Sequence, residues 1–156
     1  MNRYDPRIFD LIPHRPPMLL INEIVTLEFD ASSTIVFIDE QTPFFQEGKG
    51  VPSWVGLEYM GQTAALISGL CLEKGLIEPS LGFLLGTRSY SAECEYFKPG
   101  VNLLVSSSEH PGATEDYARF DCVISSYDSK QKAADIPLVQ ANLSVYRRRL
   151  SMGNLE

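Results

Sequence analysis

The chain has 156 residues, with 20 acidic against 13 basic side chains and a formal net charge of −7; that length suits one domain over residues 1–156, and the acidic balance excludes nucleic-acid binding through a basic surface. Two histidines exclude a histidine-rich metal site, while Cys71, Cys94 and Cys122 lack CxxC spacing and suit reduced thiols in the cytoplasm better than a disulfide framework. No motif asks for a metal or another cofactor, and residues 1–6 lack the apolar core of a signal peptide.

In chain order, Asp5 followed by Pro6 suits the first turn of a short helix that Pro13, Pro16 and Pro17 stop. Residues 18–29 are rich in Leu and Ile and predict a long strand. Residues 34–38 predict a second, paired with the first as a hairpin through the turn-forming cluster 30–33. Residues 41–50 form an irregular link into the longest signal in the chain, residues 52–75. Ser53 can cap this helix and Gly75 can end it, giving roughly 30 Å at about 1.5 Å per residue.

That helix is apolar nearly all the way round, with Glu58 and Gln62 as a polar pair at i, i+4 spacing. Such a helix is buried on most sides. A carboxylate in its first half meets a large desolvation cost unless something pairs with it, and desolvation prepares an acid for proton transfer near neutral pH. A core helix whose Glu58 is merely hydrogen-bonded is the alternative. The stretch is long enough to span a bilayer, but Glu58, Gln62 and Glu73 interrupt it, so no membrane span is expected. Beyond Gly75 the pattern turns to extended runs, with strands expected over 83–97, 101–107, 117–127 and 138–148. Arg147, Arg148 and Arg149 read as a solvated strand end. One strongly twisted antiparallel sheet wrapped around the central helix, an α+β class, accounts for this order.

Three segments carry a family resemblance. Residues 11–22, with Pro13-His14-Arg15 leading into an apolar run that ends at Asn22, are similar to the amino-terminal signature of the beta-hydroxyacyl-acyl carrier protein dehydratases of the hot-dog fold. Residues 42–46 resemble that family's lead-in to the active-site loop, and Leu57-Glu58-Tyr59-Met60-Gly61-Gln62 matches its central-helix motif. Farther on, residues 97–100 resemble its strand-to-strand turn. The resemblance implies that Glu58 is the catalytic acid, with Gln62 the glutamine one turn later. It also implies a homodimer whose acyl tunnel forms at the joint surface.

One departure stands beside the match. The family carries a histidine in a Gly-His-Phe-Pro segment before the helix; here residues 46–52 are shorter and hold none. Dehydration needs a base for the alpha proton and an acid for the departing hydroxyl, and Glu58 cannot serve as both at once without a water relay. His14 is the candidate substitute, with a structural role in the signature as its alternative. Ser53, Trp54, Val55 and Gly56 offer helix-start amides that could polarise a thioester oxygen, and Gly86 joins them as a candidate substrate contact. Gly56 reads equally as a packing glycine.

The resemblance implies a dehydratase-like enzyme acting on 3-hydroxyacyl groups carried by acyl carrier protein, or on a CoA thioester. Members with this short loop resemble accessory dehydratases of polyene-type clusters. Alternatives are a hot-dog thioesterase, or an inactive structural subunit partnering an active homologue, in a mixed oligomer rather than a homodimer. Arg15, Lys98 and Arg147, Arg148 and Arg149 are the candidates for a basic docking rim.

Overall fold

The computed structural model describes residues 3–77, 80–112, 114, 116–131 and 133–149. Helix α1 (Pro6–Leu11) begins where expected, because the Asp5 carboxylate accepts the Arg7 amide at 3.0 Å and Pro6 fills the first turn. Arg15 closes the other end. Its guanidinium donates to the carbonyls of Phe9, Ile12 and His14 and lies 5.0 Å over the Phe9 ring. It therefore clamps the end of α1 while remaining exposed.

Strand β1 (Glu23–Leu27) is shorter than the expected run over 18–29, since Leu19, Leu20 and Ile21 are buried outside the sheet ladder. Strand β2 (Ala31–Phe37) instead reaches back into the expected turn. The reason is chemical: the Ser32 hydroxyl donates to the Thr63 carbonyl at 2.6 Å, and the Ser33 and Thr26 hydroxyls pair at 2.7 Å. Two-residue strands β3 (Val51–Pro52) and β5 (Tyr96–Phe97) form a ladder of their own, so the run expected over 83–97 divides into β4 (Ser80–Ala92) and β5. Strands β6 (Asn102–Glu109), β7 (Tyr117–Asp128) and β8 (Ala133–Arg149) complete the described residues.

Six strands build one sheet in the order β1-β2-β6-β7-β8-β4, with every pairing antiparallel. Pro137 sits where the β7–β8 register shifts, a place that tolerates the missing amide. Helix α2 (Gly56–Glu73) follows a 3-10 turn over Ser53–Val55 and packs on the sheet through Tyr59, Met60, Leu66 and Ile67, all at or below 1% exposed. Each such burial is worth about 1.5–3 kcal/mol. Thr63 adds a polar seam, its hydroxyl donating to the Tyr59 carbonyl and meeting the Thr34 hydroxyl at 2.8 Å. Near the far end of α2, a Cβ on Gly69 would stand 2.1 Å from the Leu11 carbonyl oxygen, so glycine is what lets α1 dock there. The α+β, hot-dog arrangement of sheet around helix is the one expected. No described helix is long and apolar enough to cross a membrane.

Candidate active site

The site begins with a buried amide. Gln62 is fully buried on α2, and both ends of its side chain are spent on backbone 42 and 44 residues away: Oε1 accepts from the Leu20 amide at 2.8 Å, and Nε2 donates to the Met18 carbonyl at 2.9 Å. Only this orientation of the amide meets a donor with an acceptor and an acceptor with a donor. Nε2 also donates to Glu58 Oε1 at 3.2 Å, one turn earlier. Gln62 thus sews the segment after Pro17 to the helix and orients the carboxylate with the same group.

Glu58 is not the sealed acid that an apolar helix implied: 43% of its side chain is exposed. Helix α2 has two apolar faces, and only one lies on the sheet. Positions 58, 61, 65, 68 and 72, spaced by three and four residues, share the other face and line a cavity of about 510 Å³. Glu58 stands at one end of it. Across the mouth, His14 Nε2 lies 3.9 Å from Glu58 Oε1, and the buried His14 Nδ1 has no hydrogen-bond partner. Helix α1 ends with Ile12 extended ahead of Pro13, and the Pro-His-Arg signature that follows places the His14 imidazole against the helix carboxylate.

Burial lowers the His14 pKa below its ordinary 6.5; Glu58 opposes the shift and Arg15 adds to it. The imidazole is therefore neutral at pH 7. The unfolded chain takes up this proton as pH falls through the ordinary value while the folded chain resists, so the stability linked to His14 is complete above that window and is lost on acidification toward the folded pKa. Between about pH 7.5 and about pH 5.5 the wild-type urea midpoint is expected to fall further than that of His14→Gln. Equal falls would show that the site does not hold His14 neutral.

The other candidates lie apart from the cavity. The Ser53 amide is spent on the Glu95 carbonyl at 2.8 Å, the Gly56 amide on the Ser53 carbonyl, and the Tyr90 hydroxyl donates to that same carbonyl. A Cβ on Gly56 would stand 2.7 Å from Ile124 Cδ1 and from the Tyr90 hydroxyl, so this glycine is packed under the sheet. Val55 is buried, and Trp54 is 63% exposed with its ring against Phe44 at 5.9 Å. Gly86 occupies a bulge in β4 with φ of +146°. None of these five lines the cavity. The Ser53 and Gly56 amides are consumed because the chain enters α2 through a 3-10 turn pinned beneath β4 and β5.

One charged residue of the cavity was expected elsewhere. Arg147 is not a solvated strand end: its Nη2 donates to Glu109 Oε1 at 3.1 Å, the two side chains are 12% and 18% exposed, and Arg147 lines the cavity. The signal was present in parity, since Val139, Ala141, Leu143 and Val145 alternate on the inward face of β8 and the next such position is 147. Arg148 points outward and is exposed, as is Lys98, while the Arg149 side chain lies outside the described residues. Of the residues suggested for a basic docking rim, Arg147 is paired with Glu109, whereas Arg15, Lys98 and Arg148 are exposed.

Residues 6–154 match a family model described as ApeP-like, ApeP dehydratase. A 3-hydroxyacyl-[acyl-carrier-protein] dehydratase FabZ of Anaeromyxobacter dehalogenans is 34% identical over 86 residues, covering 51% of this chain and 54% of that protein. The chain spans about half the length of the curated relatives it matches. Among solved structures, the dehydratase heterocomplex ApeI:P from Xenorhabdus doucetiae superposes with a TM-score of 0.79 at 25% identity, over 98% of this chain and 96% of that one. A thioesterase family protein from Silicibacter pomeroyi shares the fold with a TM-score of 0.66, at 9% identity over 92% of this chain and 97% of that one.

Proposed function

The chain belongs to the ApeP-like dehydratase family, and from that premise we propose that it is a cytoplasmic dehydratase-like protein acting on 3-hydroxyacyl thioesters delivered by an acyl carrier protein, in fatty-acid or polyketide-type biosynthesis. The observation that carries this reading is the Glu58 carboxylate at the end of a largely apolar cavity, oriented by Gln62 and faced by His14 at 3.9 Å. In the reaction the alpha proton passes to a base, its electron pair forms the Cα=Cβ bond, and the Cβ–O bond breaks as an acid protonates the departing hydroxyl. A neutral His14 can accept at Nε2, and Glu58 is placed to deliver the proton that makes the leaving group water. Transfer from His14 back to Glu58, through an intervening water, resets the pair.

A second reading has its own support. Residues 46–50 close on themselves through the Gln46–Gly50 bridge and carry no histidine, and a similar solved structure is a dehydratase heterocomplex. On this reading the chain pairs with a homologous dehydratase, which supplies the base that residues 46–52 lack, instead of forming a homodimer. The test is an assay of the purified protein, alone and copurified with a homologous dehydratase, on 3-hydroxyacyl and saturated acyl thioesters of carrier protein. Enoyl product from the protein alone is the expected result for the Glu58–His14 pair; product only from the mixture assigns the base to the partner. Free thiol released from the saturated thioester, without enoyl product, would overturn both in favour of hydrolysis.

A further inference from the structure

The cavity beside α2 is polar at both ends, and dehydration uses only one of them. Between Glu58 and Leu72 it follows 14 residues of helix, about 21 Å at 1.5 Å per residue. The middle is kept open by small residues, and a Cβ built on Gly61 would meet nothing within 4 Å. At the far end stand Arg147 of β8 and its partner Glu109 of β6, both within electrostatic range of Cys71, next to Leu72. Arg147 Nε is buried and has no hydrogen-bond partner.

A guanidinium carries five donors in a fixed fork, and a buried donor left unmet is costly. An arginine is an unusual wall for a slot whose neighbours are Phe120, Val145, Leu72 and Gly82. Glu109 cancels its charge, so the pair as a whole is neutral. A second carboxylate brought to Arg147 would be repelled by Glu109, whereas a hydroxyl or carbonyl oxygen would meet a donor without that penalty.

We propose that this far end reads the terminus of the acyl chain: Arg147, held in place by Glu109, donates to a neutral oxygen there, and the protein selects acyl groups ending in a hydroxyl or carbonyl over those ending in a methyl. The assignment rests on the acyl-thioester reading above and names the substrate class within it. Chains too short to reach from Glu58 to Leu72 gain nothing from such an oxygen, so the preference depends on length.

The test titrates unreactive acyl-pantetheine amides by calorimetry into the full chain, in the assembly in which it purifies. Two series matched in length are compared, one ending in a methyl and one in a primary hydroxyl. The hydroxyl series is expected to bind about tenfold tighter at its best length, the worth of one hydrogen bond from a charged donor. The difference should vanish in the double variant Arg147→Met, Glu109→Leu, which removes the pair without stranding either charge. Equal affinities of the two series for the wild-type protein at every length overturn the assignment while leaving the acyl-thioester reading intact, and that comparison requires no variant to fold. A preference that survives in the double variant also overturns it. Failure of both series to bind overturns the acyl-thioester reading and this assignment together.

Discussion

Glu58→Gln is expected to lower enoyl formation from a 3-hydroxyacyl thioester by about 10²- to 10⁴-fold, the usual worth of a positioned proton-transfer group. The loss should fall on kcat, because the carboxylate lies at the end of the cavity and little of the acyl chain rests on it. Stability should hardly change. The side chain is 43% exposed, and a glutamine oxygen can still accept from Gln62 Nε2 as Glu58 Oε1 does at 3.2 Å; a substitution at such a position usually shifts stability by less than about 0.5 kcal/mol. Thermal melting and turnover measured on the same preparation separate the two effects. Undiminished turnover would remove Glu58 from the chemistry, and a large drop in melting temperature would show that the group is structural.

Gln62→Leu should do the opposite, acting first on the fold. The Gln62 side chain is fully buried and satisfies a buried amide at Leu20 and a carbonyl at Met18. Leucine fills much of the space but meets neither group, and each buried polar group left unmatched costs about 1–3 kcal/mol. A loss of about 2–4 kcal/mol is expected, which for a chain of this size lowers the melting temperature by roughly 5–15 °C. Activity falls as well, since the segment that carries His14 loses its tie to the helix that carries Glu58. Gln62→Glu sharpens the test: it keeps the size and the acceptor but sets a second oxygen against the Met18 carbonyl and the Glu58 carboxylate. Both variants should destabilise, and melting curves at neutral pH check this. A Gln62→Leu protein as stable as wild type would show that water takes over both bonds.

Much of this architecture was legible before any coordinates, because element type is a local property. The capped start at Asp5, the long apolar helix, the strand runs and the turn residues between them follow from spacing and backbone preference over a few neighbours. Where the boundaries moved, distant partners moved them: hydroxyls at Ser32 and Ser33 drew β2 into the expected turn, and a ladder between β3 and β5 split the run over 83–97. The sequence by itself also singled out Glu58, Gln62 and His14, through helical spacing and the Pro-His-Arg signature.

Only the tertiary structure decided what those residues meet. It showed that the apolar circumference of α2 serves two purposes, one face on the sheet and the other along a cavity, so that Glu58 is half open where all-round burial had been expected. It paired Arg147 with Glu109, 38 residues away, and spent the helix-start amides of Ser53 and Gly56 on neighbouring carbonyls. The physical reason is the same in each case. Periodicity records which side of an element is apolar, but whether packing, a cavity or a paired charge occupies that side depends on contacts between segments far apart in the chain, and no local pattern encodes them.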